Sequence, residues 1–152
     1  MIKRAYPDGV DCVWIGSDSD GHLGAFVTGG VAPIPIRALN SDVLPVEEAE
    51  KAVCQLPSIS ETQLLVSMKR PDDYVAIAER GFFVYDWCDV ERTERESTKS
   101  YEQLVVPLSP IRSHELPEPL AQLVAHVRFS GLVFSEAKSV NVLEQFECYS
   151  GR

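Results

Sequence analysis

The polar run Gly16-Ser17-Asp18-Ser19-Asp20-Gly21 constrains this chain most, because it separates two β-rich segments, Cys12-Val13-Trp14-Ile15 and Leu23-Gly24-Ala25-Phe26-Val27. Its closing Asp-Gly step is a strong short-range hairpin signal, since both residue types tolerate the positive φ of a tight reversal. An antiparallel hairpin is therefore expected near the start of the chain. After Gly29-Gly30 comes Pro33-Ile34-Pro35-Ile36, where two prolines allow an extended or edge segment but no central strand.

Helical spacing first appears at Val46, Ala49, Val53 and Leu56. Pro45 precedes it, Glu47 and Glu48 fall in its first turn, and Pro57 lies just beyond. A helix over 46–56 is predicted, with Glu47 and Lys51 in the favourable i,i+4 order on its outer face. Ser58-x-x-Glu61 has the form of a capping box for a short helix, whereas Leu64-Leu65-Val66 has the character of a strand; periodicity does not arbitrate between them, and 64–78 is left open.

Segments 74–78 and 82–88 flank Arg80-Gly81 and admit a helix closed by Gly81 or a hairpin turning there. The hairpin is favoured, because Phe82-Phe83-Val84-Tyr85-Asp86-Trp87-Cys88 is aromatic and β-branched and needs a neighbouring strand. Alternation sends Phe83, Tyr85 and Trp87 to one face and Val84, Asp86 and Cys88 to the other. The polar stretch 91–100 reads as a loop or hairpin tip before a strand over 101–106 that stops at Pro107. Leu120, Leu123, Val124 and Val127 share one face of a second helix over 117–127, strand character returns at 129–134, and 140–149 is strand or helix. Strands, helix, strands, helix, strand suit a single α+β domain over 1–152, mainly an antiparallel sheet with about two helices packed on it.

A chain of 152 residues with 45% hydrophobic and 24% charged content has enough apolar surface for one core. Its net charge of −9 disfavours nucleic acid and anionic membrane as partners, because phosphate-rich surfaces are bound through Lys and Arg. The same charge attracts basic proteins. Met1-Ile2-Lys3-Arg4 is not followed by the apolar run of a secretory signal, so a cytoplasmic location is expected. Cys12, Cys54, Cys88 and Cys148 are far apart, with no C-x-x-C pair and no histidine at metal-ligand spacing, and read as reduced thiols.

No catalytic residue and no cofactor is indicated. The chain contains no G-x-S-x-G elbow, HExxH or P-loop. Asp18-Ser19-Asp20-Gly21 resembles part of a calcium loop, but aligning Gly21 with the invariant glycine of an EF-hand puts Gly16 and Val27 where carboxylates are required. The turn explains the same residues. His22 beside Asp20 could take part in acid–base or metal chemistry only if the fold brought another group to them. The aromatic and acidic segment around Tyr85 and Trp87 is the place to expect a partner, through Asp86, Asp89, Glu91, Glu94 and Glu96. Arg92 and Arg95 interrupt that acidity, and the aromatic face itself is more often core.

Two stretches taken together resemble small bacterial immunity proteins encoded next to polymorphic or contact-dependent growth-inhibition toxins. They are Trp14-Ile15-x-x-Asp18-x-x-Gly21-x-Leu23-Gly24-Ala25-Phe26-Val27-Thr28-x-Gly30, ending in Pro33-Ile34-Pro35, and Arg80-Gly81-Phe82-Phe83-Val84-Tyr85-Asp86-Trp87. The likeness covers the first third of the chain and the second segment. It implies a non-enzymatic cytosolic protein that binds a cognate toxin, many of which are nucleases with basic surfaces. The competing expectations are a small enzyme or metal-binding domain built on Asp18, Asp20 and His22, and a housekeeping adaptor dimerising through a strand edge.

Overall fold

The hairpin forms as the Asp-Gly turn requires. In the computed structural model, which describes residues 4–91 and 97–151 (89–91 and 97–98 by backbone alone), β1 (Val13–Ser17) and β2 (Leu23–Val27) pair antiparallel from Val13↔Val27 to Ser17↔Leu23. Gly21 holds φ +84 in the turn. Beyond it, β3 (Ile34–Pro35) leaves this sheet and pairs with the last strand of the chain, Cys148–Tyr149, as its prolines require. A single helical turn, α1 (Ile36–Leu39), follows.

The helix α2 (Val46–Cys54) has Pro45 at its N-cap and Glu47 and Glu48 in the first turn, and it buries Val46, Ala49 and Val53. Acidic groups there complement the exposed N–H groups and the positive end of the helix dipole. No helix starts at Ser58. The open stretch resolves into β4 (Thr62–Leu64) and α3 (Asp72–Ala78).

The hairpin expected at Gly81 does not form, because 74–78 is helical. Pro71 caps α3, Asp72 and Asp73 supply its acidic first turn, and Ile77 and Ala78 are buried. The amides of Arg80 and Gly81 then close the helix on the carbonyls of Ile77 and Ala78, at 3.0 and 2.9 Å. Gly81 has φ +96, and a Cβ there would stand 3.0 Å from the backbone nitrogen of Ile111. Its glycine is therefore a helix stop, as in the alternative reading.

Reaching the sheet through a helix lets β5 (Phe83–Glu91) run parallel to β2, from Gly24↔Phe83 to Val27↔Asp86. β5 pairs antiparallel with β6 (Ser97–Pro107) as far as Glu91↔Ser97. Residue 91 and residues 97–100, read from their polarity as a loop or hairpin tip, are strand in the antiparallel β5–β6 pair, while 92–96 lie outside the described residues. After a short 3-10 turn at Ser113–Glu115 the second helix forms as α4 (Leu120–His126), starting after Pro119 rather than at 117. The strand expected over 129–134 is absent. Gly131 takes φ +68, and the segment is irregular, with Arg128 in a lone parallel bridge to Ser17. Two-residue strands β7 (Ser139–Val140) and β8 (Cys148–Tyr149), with a 3-10 turn at Val142–Glu144 between them, complete the chain.

The fold is α+β, with a mostly antiparallel six-stranded sheet in the order β1-β2-β5-β6-β4; β7 joins β6 beside β4. Alternation along β1, β2 and β5 splits the core in two. Val13, Ile15, Ala25, Val27 and Val84 meet Val53, Ile77, Leu123 and Val124 from the helices. On the opposite face Trp14, Phe26, Tyr85 and Tyr101 meet Phe129 and Phe134 from the irregular C-terminal segment. Trp14 stacks on Phe26 with centroids 4.1 Å apart. Its indole N–H donates to the Tyr101 hydroxyl at 3.0 Å, and that hydroxyl donates to Pro33 O at 2.8 Å. Each polar atom of these buried rings is thereby satisfied. No helix among the described residues is long and apolar enough to cross a membrane.

Candidate functional site

Of the five acidic residues proposed from the sequence, Asp86 alone can be placed by its side chain. Asp89 and Glu91 lie on β5 with undescribed side chains, and Glu94 and Glu96 lie outside the described residues. Alternation puts Asp86 on the helix-bearing face with Val84, away from the buried ring of Tyr85. Its backbone partners are Val27 on β2 and Glu102 on β6, so it sits beside the row Val13, Val27 that floors a cleft between the sheet, α2 and α3.

That cleft, about 160 Å³, gathers acids that the sequence keeps apart: Asp11 before β1, Glu50 on α2 and Asp73 on α3, with Val13, Val27, Tyr74, Ile77 and Arg70 completing the wall. The helical periods explain the convergence. α2 turns Val46, Ala49 and Val53 into the core, which leaves Glu50 half-buried at its margin, and α3 does the same with Ile77 and Ala78, bringing Asp73 and Tyr74 to the rim. Asp11 is fixed by the backbone amide of Gly29, which donates to it at 2.9 Å.

The electrostatics are those of like charges held together. Burial raises the Glu50 carboxyl above its ordinary range, and the charges of Asp73 and Asp11 raise it further. Asp86 is raised first by burial and then by Asp11, against the lowering effect of the Trp87 amide. Tyr74 is raised by burial and by all four carboxylates, Asp86, Asp11, Asp73 and Glu50, which places its ring among them. None of the four acids forms a salt bridge with a described residue. Three carboxylates line the cleft with one arginine and a phenol, and Asp86 lies beside it, an arrangement that favours a cation. Among the described residues no group of three or more His, Cys, Asp or Glu is arranged to hold a metal.

Asp18, Asp20 and His22 are put to a different use. Asp18 is fully buried, and one carboxylate oxygen accepts the amides of Asp20 and His22, each at 2.9 Å, while the other accepts the amide of Phe134 at 2.8 Å. His22 Nδ1 stands 3.8 Å from Asp18 and has no hydrogen-bond partner. Asp20 is exposed and meets Asp18 through its backbone amide. Asp18 therefore organises the turn and ties it to the C-terminal segment.

All four cysteines are free thiols. Burial raises Cys12 and Cys54, and raises Cys148 to about 11, so these thiols are held in the unreactive neutral form.

Sequence reasoning missed Asp11, Glu50 and Asp73. The only signal available was their position: Asp11 precedes the first strand, and Asp73 and Glu50 flank the apolar stripes of α3 and α2. No protein-family model matches the chain, and no curated protein or solved structure matches it.

Proposed function

We propose that this chain is a non-enzymatic inhibitor, an immunity protein that neutralises a cognate toxin domain by receiving its basic surface at the acidic cleft. One observation carries the reading: Asp11, Glu50, Asp73 and Asp86 surround Tyr74 without a salt bridge to any described residue, and burial and mutual repulsion raise Glu50 and Asp86. A fold does not gather uncompensated carboxylates for stability, because each added like charge costs free energy. A partner's Lys or Arg removes that cost on binding, and complementary charge accelerates encounter. Tyr74 adds aromatic surface of the kind that anchors interfaces.

The test is co-expression with the product of the reading frame immediately upstream of this gene, which should arrest growth when expressed alone. The wild-type chain should restore growth, and Glu50→Lys combined with Asp73→Lys should abolish protection while leaving the thermal melt intact. Association of the purified pair should slow steeply with added salt. Growth arrest undiminished by the wild-type chain, or protection unaffected by the double reversal, would overturn the reading.

A further inference from the structure

Another pocket, about 310 Å³, opens at the β1–β2 turn, the opposite end of that hairpin from the acidic cleft, and its lining includes Ser17, Ser19, Asp20, Arg112, Ser113, His114 and Arg128. Its character is opposite to that of the acidic cleft. Arg112 and Arg128 come from distant segments and clamp the same turn: Arg112 Nη1 donates to Asp20 O and Arg128 Nη2 donates to Ser19 O, each at 3.3 Å. Two consecutive carbonyls thus fix two guanidinium groups beside one cavity, and neither group has a carboxylate within salt-bridge distance among the described residues. Pairing is the ordinary fate of arginine in a chain with 23 acidic residues against 14 basic ones.

The remaining donors define what would fit. The hydroxyls of Ser17 and Ser19 are spent on Val124 O and Leu132 O, at 2.9 and 2.8 Å. What remains is the unused N–H groups of both guanidiniums, with Ser113 and His114 on the same wall. Guanidinium forks match the geometry of oxyanions and bind them bidentately. Two forks on separate segments suit an anion offering several oxygens in different directions, which a tetrahedral phosphate does and a planar carboxylate does not. The volume leaves room for a small organic group beside it. The exposed Asp20 carboxylate also rims the pocket and opposes an anion.

We propose that this pocket is a binding site for the phosphate group of a small phosphate monoester, held by Arg112 and Arg128. The site is independent of the acidic cleft and does not depend on the inhibitor reading.

The experiment is an amide NMR titration of the intact chain with inorganic phosphate, phenyl phosphate and acetate at constant ionic strength. Saturable shifts at Ser19, Gly21, Ser113 and Arg128 are expected with both phosphates, tighter for phenyl phosphate, and not with acetate. Arg112→Gln and Arg128→Gln should each weaken binding roughly tenfold, the effect of losing one charge-assisted contact. Asp20→Asn leaves the arginine clamps in place, because they use backbone carbonyls, and should tighten binding. Shifts that fail to saturate, acetate binding as tightly as phosphate, or affinity unchanged in Asp20→Asn and in both arginine variants would overturn the assignment. Inorganic phosphate binding as tightly as phenyl phosphate would overturn the ester part of it.

Discussion

The buried carboxylate of Asp18 accepts the backbone N–H of Phe134 at 2.8 Å and so fastens the first hairpin to the irregular segment that covers the aromatic core. Asp18→Ala removes the acceptor for three amides at once and leaves that of Phe134, which is buried, without a partner. A loss of about 3 kcal/mol is expected in urea unfolding, since hydrogen bonds to charged groups are each worth roughly 1.5–3 kcal/mol. Asp18→Asn should recover only part of it, because its NH2 group then faces an N–H. A loss below about 1 kcal/mol for the alanine variant would show that water replaces the carboxylate.

The acidic cleft predicts an inverted pH response. Glu50 and Asp86 have folded-state pKa values above their ordinary 4.5 and 3.8, so between those values and the raised ones the folded chain holds more protons than the unfolded chain. Their contribution to stability therefore falls as pH rises through the raised pKa values and stays low at neutral pH. Asp86→Asn and Glu50→Gln should each stabilise the protein at pH 7, by less than about 1 kcal/mol because both groups are partly solvated. Urea midpoints measured from mildly acidic to neutral pH should show a shallower fall in these variants than in the wild type. An identical slope would refute the like-charge account of the cleft.

Gly81→Ala should cost about 2 kcal/mol, combining left-handed backbone strain with a close approach. The strain comes from φ +96, and the approach from Ile111, whose backbone nitrogen cannot retreat as a side chain could. Gly29→Ala is the control, at φ +64 with nothing within 4 Å, and should cost about 1 kcal/mol from strain alone. Equal losses in thermal melts would mean that Ile111 moves aside.

Much of the secondary structure was legible because its signals are local. The Asp20-Gly21 turn, the proline-capped α2 with its acidic first turn, and the alternation that buries Tyr85 while sending Asp86 to the opposite face each depend on neighbours in sequence. At 74–78 the helix start Pro71-Asp72-Asp73 outweighs the β-character of Phe83 and Val84, so the hairpin expected there gives way to α3. The strand expected over 129–134 failed because Phe129 and Phe134 are apolar for packing against Trp14, Phe26 and Tyr85, and the pairing with β1 goes no further than the bridge of Arg128 to Ser17.

Neighbouring residues, through turn chemistry, capping and periodicity, determined the first hairpin, α2, β6 and α4, and with them the α+β class. They could not determine the cleft. Asp11, Glu50, Asp73 and Asp86 converge because α3 delivers β5 parallel to β2, while α2 and α3 lie on the same face of the sheet. Arg112 and Arg128 likewise meet at one turn through tertiary packing. Charge acts over ångströms in space without regard to separation along the chain, so its clustering was decided only when the chain had closed on itself.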